Sequence, residues 1–142
     1  MKEKSKKVMV FGTFDGLHPG HEFVFREAKK HGSKLIVVVA RDETVKAVKG
    51  KPPRHDEKTR LEEVKNSPLV DIAVLGNPGD KYRVIEEFMP DVICLGYDQQ
   101  AFTDRLQEEL KRRSINAEVV RLKPFMPHKY KSSILNGKDI KK

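Results

Sequence analysis

Cysteine is almost missing from this chain. Cys94 is the only one among 142 residues, so no disulfide within the chain can staple it, and a reducing compartment suits it. Cys94 lies in the apolar run DVICLG and reads as a small buried hydrophobe. Long apolar runs are missing as well, because no stretch approaches the roughly 20 apolar residues that a membrane span requires. The charged start MKEKSKK leads into only a short apolar segment, which is not the pattern of a secretory leader. Internal repeats and low-complexity tracts are absent, which leaves repeat architectures without support. Asn and Gln are scarce beside abundant Lys and Glu, a balance compatible with a thermophilic source. The expectation from these absences is a cytoplasmic protein with no membrane partner.

What is present fits one globular domain over residues 1–142, with 1–6 and 138–142 expected as flexible ends. A chain of this length buries roughly two thirds of the surface that its unfolded form exposes. Hydrophobic residues make up 37% and charged residues 35% of the chain, which describes a core inside a heavily charged surface. The formal charge of +8 sets up a positive field that attracts phosphates of any origin, whether nucleotide, nucleic acid or lipid head group. A nucleic-acid-binding module would gather Lys and Arg on one face. Here they are interleaved with Glu and Asp throughout, so nucleic acid is not an expected partner.

Short apolar, β-rich runs recur at 7–12, 34–40, 71–76, 91–96 and 117–122, with helical patterns between them at about 19–31, 56–66, 80–89 and 101–113. The near-continuous apolar character of LIVVVA implies strands covered on both faces, and alternating strands and helices imply parallel pairing. The expected fold is α/β, a single-domain Rossmann-like three-layer sandwich with a five-stranded parallel sheet. Pro90 and Gly32 are natural helix stops. The stretch 48–56, rich in Lys, Pro and Gly, is expected to be a loop whose ammonium groups reach an anionic ligand.

Open parallel sheets bind ligands at the carboxyl ends of their strands, near the point where strand order reverses. The loop after the first strand is GTFDGLHPGH. Gly12 and Gly16 let backbone approach a ligand, and Pro19 suits the first turn of a helix. That helix start turns its unpaired N–H groups and positive dipole end toward the loop, an anion site even without side chains. His18 and His21, three apart, can both project toward one phosphate. A zinc reading has little support, since no further ligand set lies at suitable spacing.

GTFDGLHPGH also resembles the HxGH signature of the cytidylyltransferase-like nucleotidylyltransferases, in its GTFDxxHxGH form. VARDETVKAVKGKPP, DEKTRLEEV, PDVICLGYDQ and KSSIL resemble later segments of that family in the same order, over nearly the whole chain. Within it the nearest likeness is to the archaeal FAD synthase branch. That resemblance implies adenylyl transfer from ATP to FMN with a divalent cation, release of pyrophosphate, and a homodimer. The alternative is a glycerol-3-phosphate or related cytidylyltransferase, which would share the fold, both histidines and the pyrophosphate product.

The resemblance also implies roles. Thr13, Phe14, Pro19 and Gly20 border the triphosphate, and His18 and His21 stabilise charge developing on the α-phosphate. Lys49, with Lys51 beside it, binds phosphate from the loop after the second strand. Arg60 approaches the substrates, against an equal reading as a helix-surface ion pair, and Asp15 either touches substrate or orients the loop. Asp98, at another strand end, accepts from a ribose hydroxyl or a base amine. Ser132 and Ser133 resemble a late Ser-Thr motif that grips the triphosphate, although its usual preceding arginine is replaced here by His128, Lys129 or Lys131. Phe125 stands either against the adenine or in the core.

Overall fold

The computed structural model describes residues 6–17, 19–80, 82–95 and 100–122. Among these residues five strands and five helices follow one another: β1 Lys7–Gly12, α1 Pro19–Lys29, β2 Lys34–Val39, α2 Asp42–Lys49, α3 Glu57–Lys65, β3 Ile72–Leu75, α4 Arg83–Phe88, β4 Val92–Leu95, α5 Gln100–Arg112 and β5 Glu118–Arg121. All neighbouring strands pair in parallel, in the order β3-β2-β1-β4-β5. The chain therefore builds outward from β1 through β2 to β3, then crosses back to lay β4 on the other side of β1. The expected three-layer sandwich is what the structure shows.

Side chains alternate between the faces of each strand, and the two cores follow that alternation. Val8, Val10, Leu35, Val37, Val39, Val92 and Cys94 gather with Phe25 and Ala28 of α1 and Val64 of α3. Met9, Ile36, Val38, Ile93 and Leu95 gather on the opposite face with Val84 and Ile85 of α4 and Leu106 and Leu110 of α5. This explains why β2 lacks polar alternation, as both of its faces meet helices. Cys94 is buried as expected, and burial pushes its thiol pKa up to about 12, leaving it inert.

Two aspartates begin strands in the same way. Asp71, just before β3, donates its N–H to Leu35 O at 3.1 Å and accepts from Leu35 N at 2.8 Å through its carboxylate. Asp91, just before β4, makes the matching pair with Lys7, donating at 2.9 Å and accepting at 2.9 Å. Each carboxylate thus closes a ladder end whose N–H would otherwise lack a partner.

One helix departs from expectation. The sequence reading places none over Asp42–Lys49 and puts 48–56 in a loop, yet α2 runs to Lys49. Its apolar stripe is too thin to read by periodicity, since only Val45 is buried and Val48 is 72% exposed. The helix is specified at its ends instead. Asp42 and Glu43 lie in the first turn, Lys46 and Lys49 in the last, and Gly50 closes it in the left-handed conformation.

Asp71→Ala should lower the unfolding free energy by about 1 kcal/mol, a modest loss because the carboxylate is partly exposed. The Leu35 N–H, with Lys29 beside it, holds the Asp71 carboxyl below its usual range. Its contribution is therefore present above about pH 4 and fades as pH falls. Urea unfolding at pH 7 and pH 3 checks both statements, with the smaller difference between variant and wild type at pH 3.

Candidate active site

The ends of β1 and β4 meet where strand order reverses, and the signature loop leaves β1 there. It turns sharply. Phe14 has φ 54° and Gly16 φ 85°, while Gly16 N–H donates to Phe14 O at 3.1 Å across Asp15. Pro19 then opens α1, so the helix start faces the strand end as the sequence indicates. Thr13, Gly20 and His21 are half-buried and Pro19 is exposed.

Phe14 corrects a simple reading of this loop. Its side chain is only 5% exposed and belongs to the core. The ring meets the His21 imidazole at 5.2 Å between centroids, tilted by 70°, and Phe25 at 5.4 Å. That edge-to-face contact sets the imidazole's position at the helix start. What Phe14 leaves for a ligand is its main chain. Gly12 serves the same packing, because a Cβ there would sit 2.6 Å from the Phe14 ring. Phe14 itself therefore fills the space above Gly12.

Arg60 supports the loop from beneath. It is neither a surface ion pair nor an exposed substrate contact, being 0% exposed on the inner side of α3. Nη1 donates to Thr13 O at 2.9 Å and Ala40 O at 2.7 Å, Nε to His55 O at 2.9 Å, and Nη2 to the Asp42 carboxylate at 2.7 Å. One guanidinium thus ties the signature loop, the end of β2, the start of α2 and the approach to α3. A planar fork of fixed donors can satisfy this set, whereas a lysine cannot. Nearby, Arg41 donates to Gly76 O at 2.7 Å and pairs with Glu57 at 3.2 Å, and Glu57 accepts from Asp42 N at 2.9 Å.

Asp15 orients the loop. Its carboxylate accepts from Arg54 N at 2.7 Å, His55 N at 2.9 Å and His55 Nδ1 at 2.9 Å. These bonds, the Arg54 N–H foremost, pull its pKa down to about 2. The carboxylate is thus ionised at any working pH, and Nδ1 of His55 is the protonated ring nitrogen. His55 and Arg54 are residues that the sequence reading passed over. No motif marks them, since they reach the site only through pairing across 40 residues of chain.

Lys51 is exposed in the segment between α2 and α3, as expected, but Lys49 is the exposed last residue of α2. His18, Asp98, Phe125, His128, Lys129, Lys131, Ser132 and Ser133 lie outside the described residues. Among the described residues no group of three or more His, Cys, Asp or Glu is gathered that could hold a metal ion.

A parallel sheet with a helix-opening, glycine-containing loop at its switch point defines a nucleotide-binding α/β protein. The chain belongs to the cytidylyltransferase-like family, whose profile matches residues 9–141, and it is a nucleotidylyltransferase. The FAD synthase of Aciduliprofundum boonei is 47% identical over 131 residues, covering 92% of this chain and 84% of that one. The FAD synthase of Methanothermus fervidus is 50% identical over 120 residues, with 82% of each chain covered. Among solved structures, a lipopolysaccharide core biosynthesis protein from Thermoplasma volcanium superposes with a TM-score of 0.81 at 40% identity, over 87% of this chain and 100% of that one.

Removing the guanidinium leaves three carbonyls and a carboxylate without their partner, so Arg60→Met should cost about 3 kcal/mol or more. Arg60→Lys should recover only part of the loss in the same urea titration. For Asp15 the folded pKa lies below the unfolded value of 3.8, so its stabilisation is complete above that pH and is lost as pH falls toward 2. The stability gap between wild type and Asp15→Asn should accordingly close over that interval in acid-unfolding curves.

Proposed function

We propose that this protein is an FAD synthase, transferring AMP from ATP to the phosphate of FMN with release of pyrophosphate. The observation that carries the reading is the GTFDGLHPGH loop, which follows β1, the strand that β4 flanks, and leads into α1. The FAD synthase relatives, matched over more than four fifths of their length, favour this acceptor over glycerol 3-phosphate and ATP over CTP.

The chain's own residues support a direct displacement. The start of α1 offers N–H groups and the positive end of its dipole to the triphosphate. An oxygen of the FMN phosphate attacks the α-phosphorus, and the bond to the bridging oxygen of the departing pyrophosphate breaks, that oxygen keeping the electron pair. His21, with its ring set by Phe14, and His18 donate to the α-phosphate oxygens as charge builds there. Lys49 and Lys51 neutralise the pyrophosphate from the second connection, and Thr13, the Phe14 main chain, Pro19 and Gly20 line its cradle. Asp98, Phe125, Ser132 and Ser133 complete the nucleotide pocket in this proposal. The nucleophile is already an anion, so no covalent enzyme intermediate is needed.

A divalent cation fits this site as a companion of the triphosphate, because small hard cations keep water and phosphate oxygens as ligands and need no protein cage. Bound there, it would offset the charge of the leaving pyrophosphate. No helix of the described residues is long and apolar enough to cross a membrane. A cytoplasmic homodimer is the assembly we propose.

Incubation with ATP or CTP and a panel of phosphorylated acceptors, followed by pyrophosphate release and chromatography of flavins, tests the reaction. FAD should form only with ATP and FMN. His18→Ala and His21→Ala should each lower turnover by about 100-fold or more, since one oxyanion donor is typically worth about 3 to 4 kcal/mol in the transition state. ATP affinity should change much less. Near-normal turnover in both variants would remove the histidines from the reaction.

A further inference from the structure

The turn that Asp15 captures brings two more side chains against the signature loop. Gly16 has φ 85°, and the place its Cβ would take is 3.5 Å from Arg54 Nη2 and 3.9 Å from His55 Cε1. Both side chains therefore rest on the middle of the loop. They are held there from behind, because the Asp15 carboxylate accepts both backbone N–H groups as well as His55 Nδ1. The arrangement leaves their outer ends open. Arg54 is exposed, and among the described residues its guanidinium has no ion-pair partner. The His55 side chain is 41% exposed, with Nδ1 committed to Asp15, so Nε2 is the ring nitrogen left to meet a ligand.

Topology says which ligand is near. The turn at Arg54 and His55 belongs to the connection from β2 to α3, and β2 flanks β1 on the side away from β4. A nucleotide in the crevice between β1 and β4 occupies the opposite flank. The connection from β2 to α3 meets both phosphates, with Lys49 and Lys51 at the end of α2 and just beyond it and Arg54 and His55 nearer α3, and in-line displacement puts the incoming phosphate on the side of the α-phosphorus opposite the pyrophosphate. A guanidinium and an imidazole fixed beside the loop suit a terminal phosphomonoester dianion, which accepts several charge-assisted hydrogen bonds at once. The choice of an arginine next to a carboxylate-anchored histidine also explains why Asp15 is spent on the turn.

We propose that Arg54 and His55 bind the phosphomonoester of the acceptor, with Asp15 as the positioning residue that holds both. This rests on the reading of the protein as an FMN adenylyltransferase. Arg54 and His55 thereby select a phosphorylated acceptor over its dephosphorylated form.

Flavin fluorescence quenching measures the affinity of the full chain for FMN and for riboflavin, which differ only in that phosphate. Steady-state kinetics with each substrate varied give the second readout. The wild type should bind FMN more tightly than riboflavin. In the Arg54→Ala, His55→Gln double variant this preference should fall about tenfold or more, and KM for FMN should rise to match, while KM for ATP stays within about twofold. Asp15→Asn should move the same two quantities in the same direction, because it loosens the turn and the His55 ring while leaving both side chains in the chain. If the preference for FMN survives and KM for ATP rises instead, the pair serves the triphosphate and the assignment is overturned. Unchanged values for both substrates overturn it as well, leaving two solvated side chains. A wild type that makes no FAD removes the proposed function, and this assignment with it, whereas a wild type that makes FAD beside variants of unaltered preference removes this assignment alone.

Discussion

A guanidinium at zero exposure organises the active end of this protein. Burying a cation is costly unless its donors are satisfied, and Arg60 meets that condition only where Thr13, Ala40, Asp42 and His55 come together. The same condition restricts the four segments in return. The loop after β1, the end of β2, the first turn of α2 and the entry to α3 are held in the relative placement that forms these four hydrogen bonds. Asp15 and Glu57 act in the same sense at the margins, each accepting backbone N–H groups from a neighbouring segment. Carbonyls and carboxylates at the strand ends, which would otherwise need water, are joined through charged side chains.

This accounts for a division of labour inside the signature loop. Phe14 and Gly12 face inward and are explained by packing, since the ring lies on the glycine and against Phe25. Asp15 faces the turn at residues 54 and 55. Gly16, Pro19 and His21 are placed at the surface where α1 begins. A family signature is therefore a mixture of residues that meet substrate and residues that hold the others still. Rigid support matters here because electrostatic stabilisation of a transition state depends on donors already in place before charge develops. The +8 formal charge adds a long-range attraction for anionic substrates.

Much of this was legible in the order of residues. Runs such as LIVVV must be covered on both faces, so five parallel strands alternating with helices follow from apolar content alone, and a glycine-containing loop before Pro19 places an anion site at the end of β1. The family likeness added the reaction class. Local chemistry was enough for these, because apolar runs, helix starts and motif spacing depend on near neighbours. Only the tertiary structure decided the rest. It turned Phe14 into core, sank Arg60 from an apparent helix surface to the centre of a hydrogen-bond junction, and brought His55 and Arg54 to Asp15. Each of these depends on partners tens of residues away in the chain. Burial and hydrogen-bond satisfaction are properties of the assembled fold, and no spacing within one segment encodes them.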